Sequence, residues 1–547
     1  MFRLNNSNEQ TSLFSKENNW SNFQKKRIKK SWACYFHDNI FPNINEDRFK
    51  VLYSDNNASC PNTPVNILIG LLIIKSITNS TDEEVIDLML FDERVQYALH
   101  TIDLDSQPIS KNMLNIFRKR LTQYESETNI NLLENEMRDL NKYILELHKI
   151  DRSIERMDSM MISFSCKIMS RVELIYTVNY NFIKLLKSMD KVPNKYKCYL
   201  EEGNKNEVIY RTKNSEEGNR LSTLLNHSVA LYKKYKHNKK INTTNEFILL
   251  QRIVEEQYDN DKKCPKNNKE ISPSSLQNPS DPEATFRMKY GPNHGYVANI
   301  VEAVDKDNGA MITDWEVDKN TTSDTTFLND YLEKQKQENN NIKVEIVDGG
   351  FYSEELNEKA SALKIELHPT ELVGRKPKET NILEFTIDEQ NHQILKCPNN
   401  CVPENSKYDE EKDIISACFE KKQCENCPFK NKCCLDFKQK KFNKLRISTK
   451  EINIAKQREN RKNEEYVKIS NKRAGIEGIP SLLRRKYRID ERPVKGLLRL
   501  KNEFSTAIIA INIKRASKIA QVHDIFTQIT MRIKFIVNYY EIIYFIS

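Results

Sequence analysis

The chain has 547 residues, 38% hydrophobic and 30% charged, with a formal net charge of +9 and a pI near 8.7. That length suits roughly two to four domains, and the apolar content is enough for packed cores beneath a very polar surface. The opening MFRLNNSNEQ has no apolar signal segment and no run of 18 apolar residues occurs, so an exported or membrane-spanning protein is not expected. The 12 cysteines of an intracellular chain point to metal where they cluster, rather than to disulfides. The basic residues are concentrated at 26–30, 438–472 and 484–501, which favours a polyanionic partner over evenly solvated helix faces.

Residues 1–130 read as a helical domain. Pro61 and Pro64 lead into Ile67, Leu68, Leu71 and Leu72 at helical spacing, the pattern of a core helix. Thr81-Asp82-Glu83-Glu84 is a capping box that opens a helix over 82–91. In SKNMLNIFRKRL, Ser110 reads as the N-cap, with Met113, Leu114, Phe117 and Leu121 inward. Lys111, Asn112, Asn115, Arg118, Lys119 and Arg120 then face outward. Such a face suits a major groove in a helix-turn-helix arrangement; a solvated basic face is the plainer alternative.

Over 150–165 the residues alternate with the period of a strand, and Asp158 stands among Met157, Met160 and Ile162. A carboxylate there is costly unless paired or metal-bound, which makes Asp158 a candidate ligand, with satisfaction by Arg156 or by backbone as the alternative. From 179 to 279 the chain is strongly polar, with helical patterns at 221–235 and 245–258, and reads as a helical insertion and a flexible connection. Strands resume at 296–304 and 311–317, followed by a helix over 324–337 and the segment IKVEIVDGGFYSEE. In that segment a β-branched strand runs into Asp348, then Gly349-Gly350, then Ser353 as an N-cap with an acidic first turn. Asp348 therefore sits at the carboxyl end of a strand, where open α/β sheets present functional groups and where a carboxylate suits a hard divalent cation. With a further strand at 364–369, the pattern is α/β (α+β) with a mixed sheet.

Cys397, Cys401, Cys418, Cys424, Cys427, Cys433 and Cys434 fall close together. A C-x2-C pair followed by C-x5-C has the spacing of a closed, structural zinc site. Cys397, Cys424, Cys427 and Cys433 are the preferred ligands, with Cys401, Cys418 and Cys434 as substitutes. Further on, Arg473, Glu477 and Arg484 would share a face of one helix. Ion pairing alone explains that face, and Gly478 and Pro480 disturb helix geometry. The apolar tail 535–547 carries Glu541 and is too short to span a bilayer.

These segments resemble, in order, the DDE transposases of bacterial insertion sequences, in particular the group with a helical N-terminal domain and a cysteine-bearing insertion in the catalytic domain. The resemblance rests on PNTPVNILIGLLIIKSI, DEEVIDLMLFDERVQYAL, ISKNMLNIFRKRL, RMDSMMI, DPEATFRMKYGPNHGYVANIVEAVD, VDGGFYSEE, CENCPFKNKC and RAGIEGIPSLLRR. It implies a ribonuclease-H-like catalytic core, a double-stranded DNA substrate (element ends and target), and an acidic triad at Asp158, Asp348 and Glu477. The triad would hold two Mg²⁺ (or Mn²⁺) ions, with Asp158 between them, while Arg473 and Arg484 hold the phosphate. Ser470 stands where the family has Tyr, and Arg484 where it has Lys. Asp281 and Asp314 are rival carboxylates, and His294 reads as structural.

The expected organisation is a DNA-binding domain at 1–130 and a catalytic core at 150–390 with an insertion at 180–280. A zinc-knuckle-like insertion at 391–436, the rest of the core at 437–520 and a tail at 521–547 complete it. A homodimer or higher assembly on DNA, and a cytoplasmic, nucleoid-associated location, are implied by the resemblance alone. The alternative is a catalytically inactive, transposase-derived DNA-binding protein.

Overall fold

The structure, a computed structural model, describes residues 1–5, 15–54, 56, 61–104, 107–211, 214–289, 291–338, 341–370, 382–388, 391–437 and 441–546. Cys60 and the first residues of the basic stretch 438–472 lie outside these. The chain forms two compact units, Met1–Phe327 with Ile476–Ser547, and Leu328–Gly475.

In the first unit, α1 (Val65–Thr78) buries all its residues but the last, in line with its largely apolar composition. α2 (Asp82–Phe91) opens at the expected capping box: Glu84 N donates to the Thr81 hydroxyl, and Thr81 N donates to the Glu84 carboxylate at 2.7 Å. α3 (Met113–Thr128) starts later than a Ser110 cap would place it, and Asn112 occupies the cap position without a side-chain cap bond. The Ser110 carbonyl instead accepts from Met113 N at 3.1 Å, so 110–113 closes as a turn ahead of the helix. Leu114, Phe117 and Leu121 are buried as expected, and Met113 is half-buried. α4 (Leu132–Leu147) leads into the sheet.

β1 (Ile154–Ser163) precedes a helical insertion containing α5 (Arg171–Ser188), α6 (Glu217–Tyr235) and α7 (Asn245–Gln257). The insertion has its own apolar core, from Val172 to Leu276. β2 (Thr285–Met288), β3 (Pro292–Asp305) and β4 (Gly309–Lys319) follow. β3 is central: it pairs antiparallel with β1 along one edge and with β2 and then β4 along the other. Gly295, at φ +143°, brings β3 so close to β1 that a Cβ would collide with the Ile162 carbonyl.

In chain order the second unit follows. It takes up most of α8 (Asp324–Glu338), then β5 (Val344–Val347), α9 (Glu354–Ala362) and β6 (Glu366–Pro369), with β5 and β6 parallel. Ser353 caps α9 as expected, accepting from Leu356 N. An antiparallel sheet of β7 (Asn405–Asp409), β8 (Ile414–Glu420) and β9 (Phe442–Ser448) precedes α10 (Thr449–Asn460) and α11 (Glu464–Asn471).

The chain then returns to the first unit through a 3-10 turn at Lys472–Glu477, α12 (Gly478–Arg485) and α13 (Leu497–Ile546). The tail at 521–547 is thus, over its described residues, a continuation of α13. Among the described residues no helix is long and apolar enough to cross a membrane.

One apolar core joins α1, α3 and α4 to one face of the sheet and to α13, so the helices of 1–130 do not pack as a separate body. Its polar centre is Asn512, which is fully buried. The Asn512 amide donates to Asn141 Oδ1 and to the Ile312 carbonyl, both at 2.7 Å, and its oxygen accepts from Ile312 N at 3.2 Å. Trp315 Nε1 adds a bond to Ser505 Oγ at 2.8 Å. Replacing Asn512 by Ala strands two buried polar groups, Asn141 Oδ1 and Ile312 N, while the Ile312 carbonyl keeps its bond from Asn141 Nδ2 at 3.1 Å, and we expect a loss of about 2–3 kcal/mol in denaturant unfolding. The exposed Asn115→Ala should change stability by under about 0.5 kcal/mol; equal effects at the two sites would contradict the network's role.

Candidate active site

Asp158 lies mid-way along β1, half-exposed, on the same side as the buried Met160 and Ile162. Its Oδ1 accepts from Ser159 N at 3.0 Å. Arg156, the alternative partner, is buried and bonds through both Nε (2.8 Å) and Nη2 to Glu302 of β3. Arg515 of α13 reaches the other Glu302 oxygen at 2.6 Å. Next along the strand, Ser159 Oγ donates to Asp324 Oδ1 at 2.8 Å, a carboxylate that the sequence patterns did not single out.

The rival carboxylates have structural partners. Asp314 pairs with Arg138. Asp281 accepts the Tyr296 hydroxyl at 2.5 Å and Gly496 N at 3.2 Å, and burial raises its pKa. His294 holds Gln277 at 3.0 Å, and burial lowers its pKa, in keeping with a structural role.

Glu477 is exposed at the junction between the 3-10 turn and α12. The backbone from 472 to 477 winds as 3-10 helix, so Arg473, Glu477 and Arg484 do not lie on one continuous α-helical face. Gly475 and Gly478 are poor α formers and Pro480 has no N–H to donate, which favours the break. α12 buries Ile479 and Leu483, with Ile476 just before it, and leaves Arg484 exposed.

This helix end is fastened to β1 directly and through Asp490. Arg484 Nη2 donates to the Met161 carbonyl at 2.7 Å, and Arg484 Nε pairs with Asp490 at 3.2 Å. The other Asp490 oxygen accepts from Ser163 N at 2.9 Å. Asp158 and Glu477 thus belong to elements of the first unit, while Arg473 and Asp348 belong to the second.

In the second unit, Asp348 follows β5 directly, half-exposed, at the strand end the sequence predicts. Its Oδ1 accepts from Gly349 N at 2.7 Å, and its carbonyl closes the turn to Phe351 N at 3.0 Å. On the neighbouring strand, the fully buried His368 places Nε2 3.2 Å from the Tyr466 carbonyl and 2.9 Å from Ser470 Oγ. The carbonyl can only accept, so Nε2 carries the proton. Tyr466 stacks on the ring at 3.6 Å and donates to the Pro369 carbonyl at 2.8 Å. Ser470, at the position where the resemblance has Tyr, thus helps to hold α11 on β6.

Of the seven clustered cysteines, Cys397, Cys401, Cys424, Cys427 and Cys433 line one small cavity. Cys397 N donates to the Cys401 carbonyl at 2.9 Å, turning the chain back on itself. Burial, and then repulsion from neighbouring thiols, raises the pKa of Cys401, Cys424 and Cys433. Cys418 on β8 and Cys434 stand outside the lining, and burial pushes the Cys434 thiol up to about 12. Among the described residues, no group of three or more His, Cys, Asp or Glu is arranged to hold a metal ion as it stands.

On α3, Arg118 is engaged by Asp82 through two bonds of 2.6 and 2.9 Å, and Arg120 lies over the Tyr53 ring at 4.8 Å. Lys111, Asn112 and Lys119 are exposed.

These features define a mixed α/β protein with carboxylates at and within its strands, basic flanking segments and a thiol cluster. Residues 396–517 match the family described as Transposase DDE domain. The match covers less than a quarter of the chain and takes in the thiol cluster, Arg473, Glu477 and Arg484, but not Asp158 or Asp348. Comparison with curated proteins and with solved structures found no match.

Burial holds the His368 imidazole below its ordinary value. The unfolded chain therefore binds its proton at a higher pH than the folded protein does, and stability rises with pH across that interval. The contribution is complete above about pH 6.5 and is lost as the pH falls below it. Thermal unfolding should move to lower temperature on acidification from neutral pH, and His368→Gln should make the decline shallower. His100, His227 and His294 shift in the same direction, so the slope is reduced rather than abolished. An unchanged slope in the variant would contradict this.

Proposed function

We propose that this protein is a DNA transposase of an insertion sequence, cutting DNA at element ends and joining the freed 3′-OH to target DNA. The observation that carries the reading is the transposase DDE domain match over 396–517, which contains Glu477. The reading is supported by Asp348 following a strand end and by Asp158 lying within a strand. Three antiparallel strands, followed in the chain by a parallel pair, are compatible with a ribonuclease-H-like core.

Asp158, Asp348 and Glu477 would hold two Mg²⁺ or Mn²⁺ ions. Their all-oxygen character fits such ions, and the Asp158 and Asp348 carboxylates are half-exposed, each oriented by the next backbone N–H. Bound metal would activate the attacking water or 3′-hydroxyl and stabilise the leaving oxygen. Arg484 and Arg473 would bind phosphate, Arg being suited to bidentate contacts. Arg484 is exposed and is oriented for this by Asp490. Lys111, Asn112, Lys119 and Arg120, with the half-buried Arg118, would contact the element end. A dimer or larger assembly would hold paired ends.

Zinc would occupy the thiol cavity, bound by Cys397, Cys424, Cys427 and Cys433, with Cys401 as the substitute on the same lining. Burial, and then repulsion from neighbouring thiols, raises Cys401, Cys424 and Cys433, and a bound divalent cation would relieve that repulsion. Its role would be structural.

Purified protein with Mg²⁺ should cleave a fragment carrying the element's end, and Asp158→Ala, Asp348→Ala and Glu477→Ala should each lose cleavage while still binding DNA. Near-wild-type cleavage by one of them removes that residue from the site. Binding by wild type without cleavage in Mg²⁺ or Mn²⁺ would replace this reading with the inactive DNA-binding relative. Separately, protein prepared under reducing conditions should carry about one zinc per chain, lost in Cys424→Ser/Cys427→Ser; less than about half an equivalent in wild type counts against the site.

A further inference from the structure

The helical insertion between β1 and β2 has no part in the chemistry above, and its charge is unevenly placed. Over 167–270, twenty-one Lys and Arg stand against thirteen Asp and Glu. The end of α5 and the turn after it carry Lys184, Lys187, Lys191, Lys195 and Lys197, with Asp190 as their one acidic neighbour in sequence. The end of α6 carries Lys233, Lys234, Lys236, Lys239 and Lys240 and no acid. All ten lysines are exposed. The remaining residues of the insertion are close to balanced, eleven basic against twelve acidic.

Packing brings the two segments to one end of the insertion. The Tyr235 hydroxyl donates to the Lys191 carbonyl at 2.9 Å, Phe182 meets the Tyr235 ring at 5.7 Å, and Tyr196 meets His227 of α6 at 5.2 Å. Lys195 and Lys234 lie over the rings of Tyr196 and Tyr235, which limits their freedom.

Elsewhere in the insertion the cations have partners: Lys167 and Lys205 pair with Glu173, Arg252 with Glu256, and Lys262 with Asp259. Among the described residues none of the ten lysines makes an ion pair. The negative ends of two helices favour one or two nearby cations each, not five. Ten unneutralised lysines repel one another and call for an external polyanion.

The chemistry of this end narrows the partner. It has no Arg among its charges, so it lacks the fork that reads a guanine edge. Its rings at Tyr196, Tyr199 and Tyr235 are buried, so no exposed platform from them stacks unpaired bases. What remains suits a line of phosphates, spaced by about 1.7 Å of axis per charge in duplex DNA. We propose that this end of the helical insertion is a sequence-independent docking surface for the backbone of double-stranded DNA, outside the segment that α3 would recognise. The proposal rests on the DNA-transposase reading.

The test uses the full-length protein and a short duplex of arbitrary sequence, with affinity followed by fluorescence anisotropy between about 50 and 200 mM salt. Replacing Lys187, Lys191, Lys233, Lys236 and Lys240 together by Gln should weaken binding by at least about tenfold. The slope of log K against log salt should flatten by about 0.9 for each phosphate contact removed. The same five positions as Arg should bind like wild type, and circular dichroism and thermal unfolding should be unchanged in both variants. Wild-type affinity and slope in the Gln variant overturn the proposal. If wild type still cleaves DNA in that case, only the docking surface has failed; if wild type neither binds nor cleaves DNA, the transposase reading falls and the surface with it.

Discussion

Asp490 holds together parts of the first unit that are more than three hundred residues apart in sequence. One of its oxygens takes the Ser163 amide at the end of β1, and the other pairs with Arg484, whose second nitrogen reaches the Met161 carbonyl. A charge-assisted pair that also satisfies strand-end backbone groups fixes position as well as adding energy. Through it α12 is fastened to the strand that carries Asp158, and Glu477 sits at the start of that helix. Ile476, Ile479 and Leu483 anchor the same segment in the core shared with α13.

The features legible in the sequence are those governed by short-range physics. The capping box at Thr81, the cap at Ser353, the strand through Asp158 and the strand end at Asp348 all depend on residues within a few positions of one another. The break at 472–477 was half-legible: Gly478 and Pro480 signalled disturbed helix geometry, but a 3-10 turn has no clear pattern of its own. The helix starts later than Ser110 because 110–113 closes as a turn through the Ser110 backbone carbonyl, a bond that side-chain patterns do not signal.

The remaining features depend on contacts between distant residues. Arg118 reads from the sequence as an outward basic residue, whereas Asp82, on another helix, engages it. His368, Tyr466 and Ser470 form one buried group from two elements far apart in sequence, and nothing around Ser470 announces this. The thiols fall between these cases. Spacing singled out Cys397, Cys424, Cys427 and Cys433, and folding adds Cys401 to their cavity while leaving Cys418 and Cys434 outside it.

The proposed strand cleavage depends on Asp158 and Asp348 binding a divalent cation. Its most direct test is Mn²⁺ binding to the apo protein, followed by electron paramagnetic resonance, in wild type and in Asp158→Asn and Asp348→Asn. Wild type should bind Mn²⁺ saturably, with affinity weakened by at least about tenfold in each variant. Equal Mn²⁺ binding by all three proteins would contradict it.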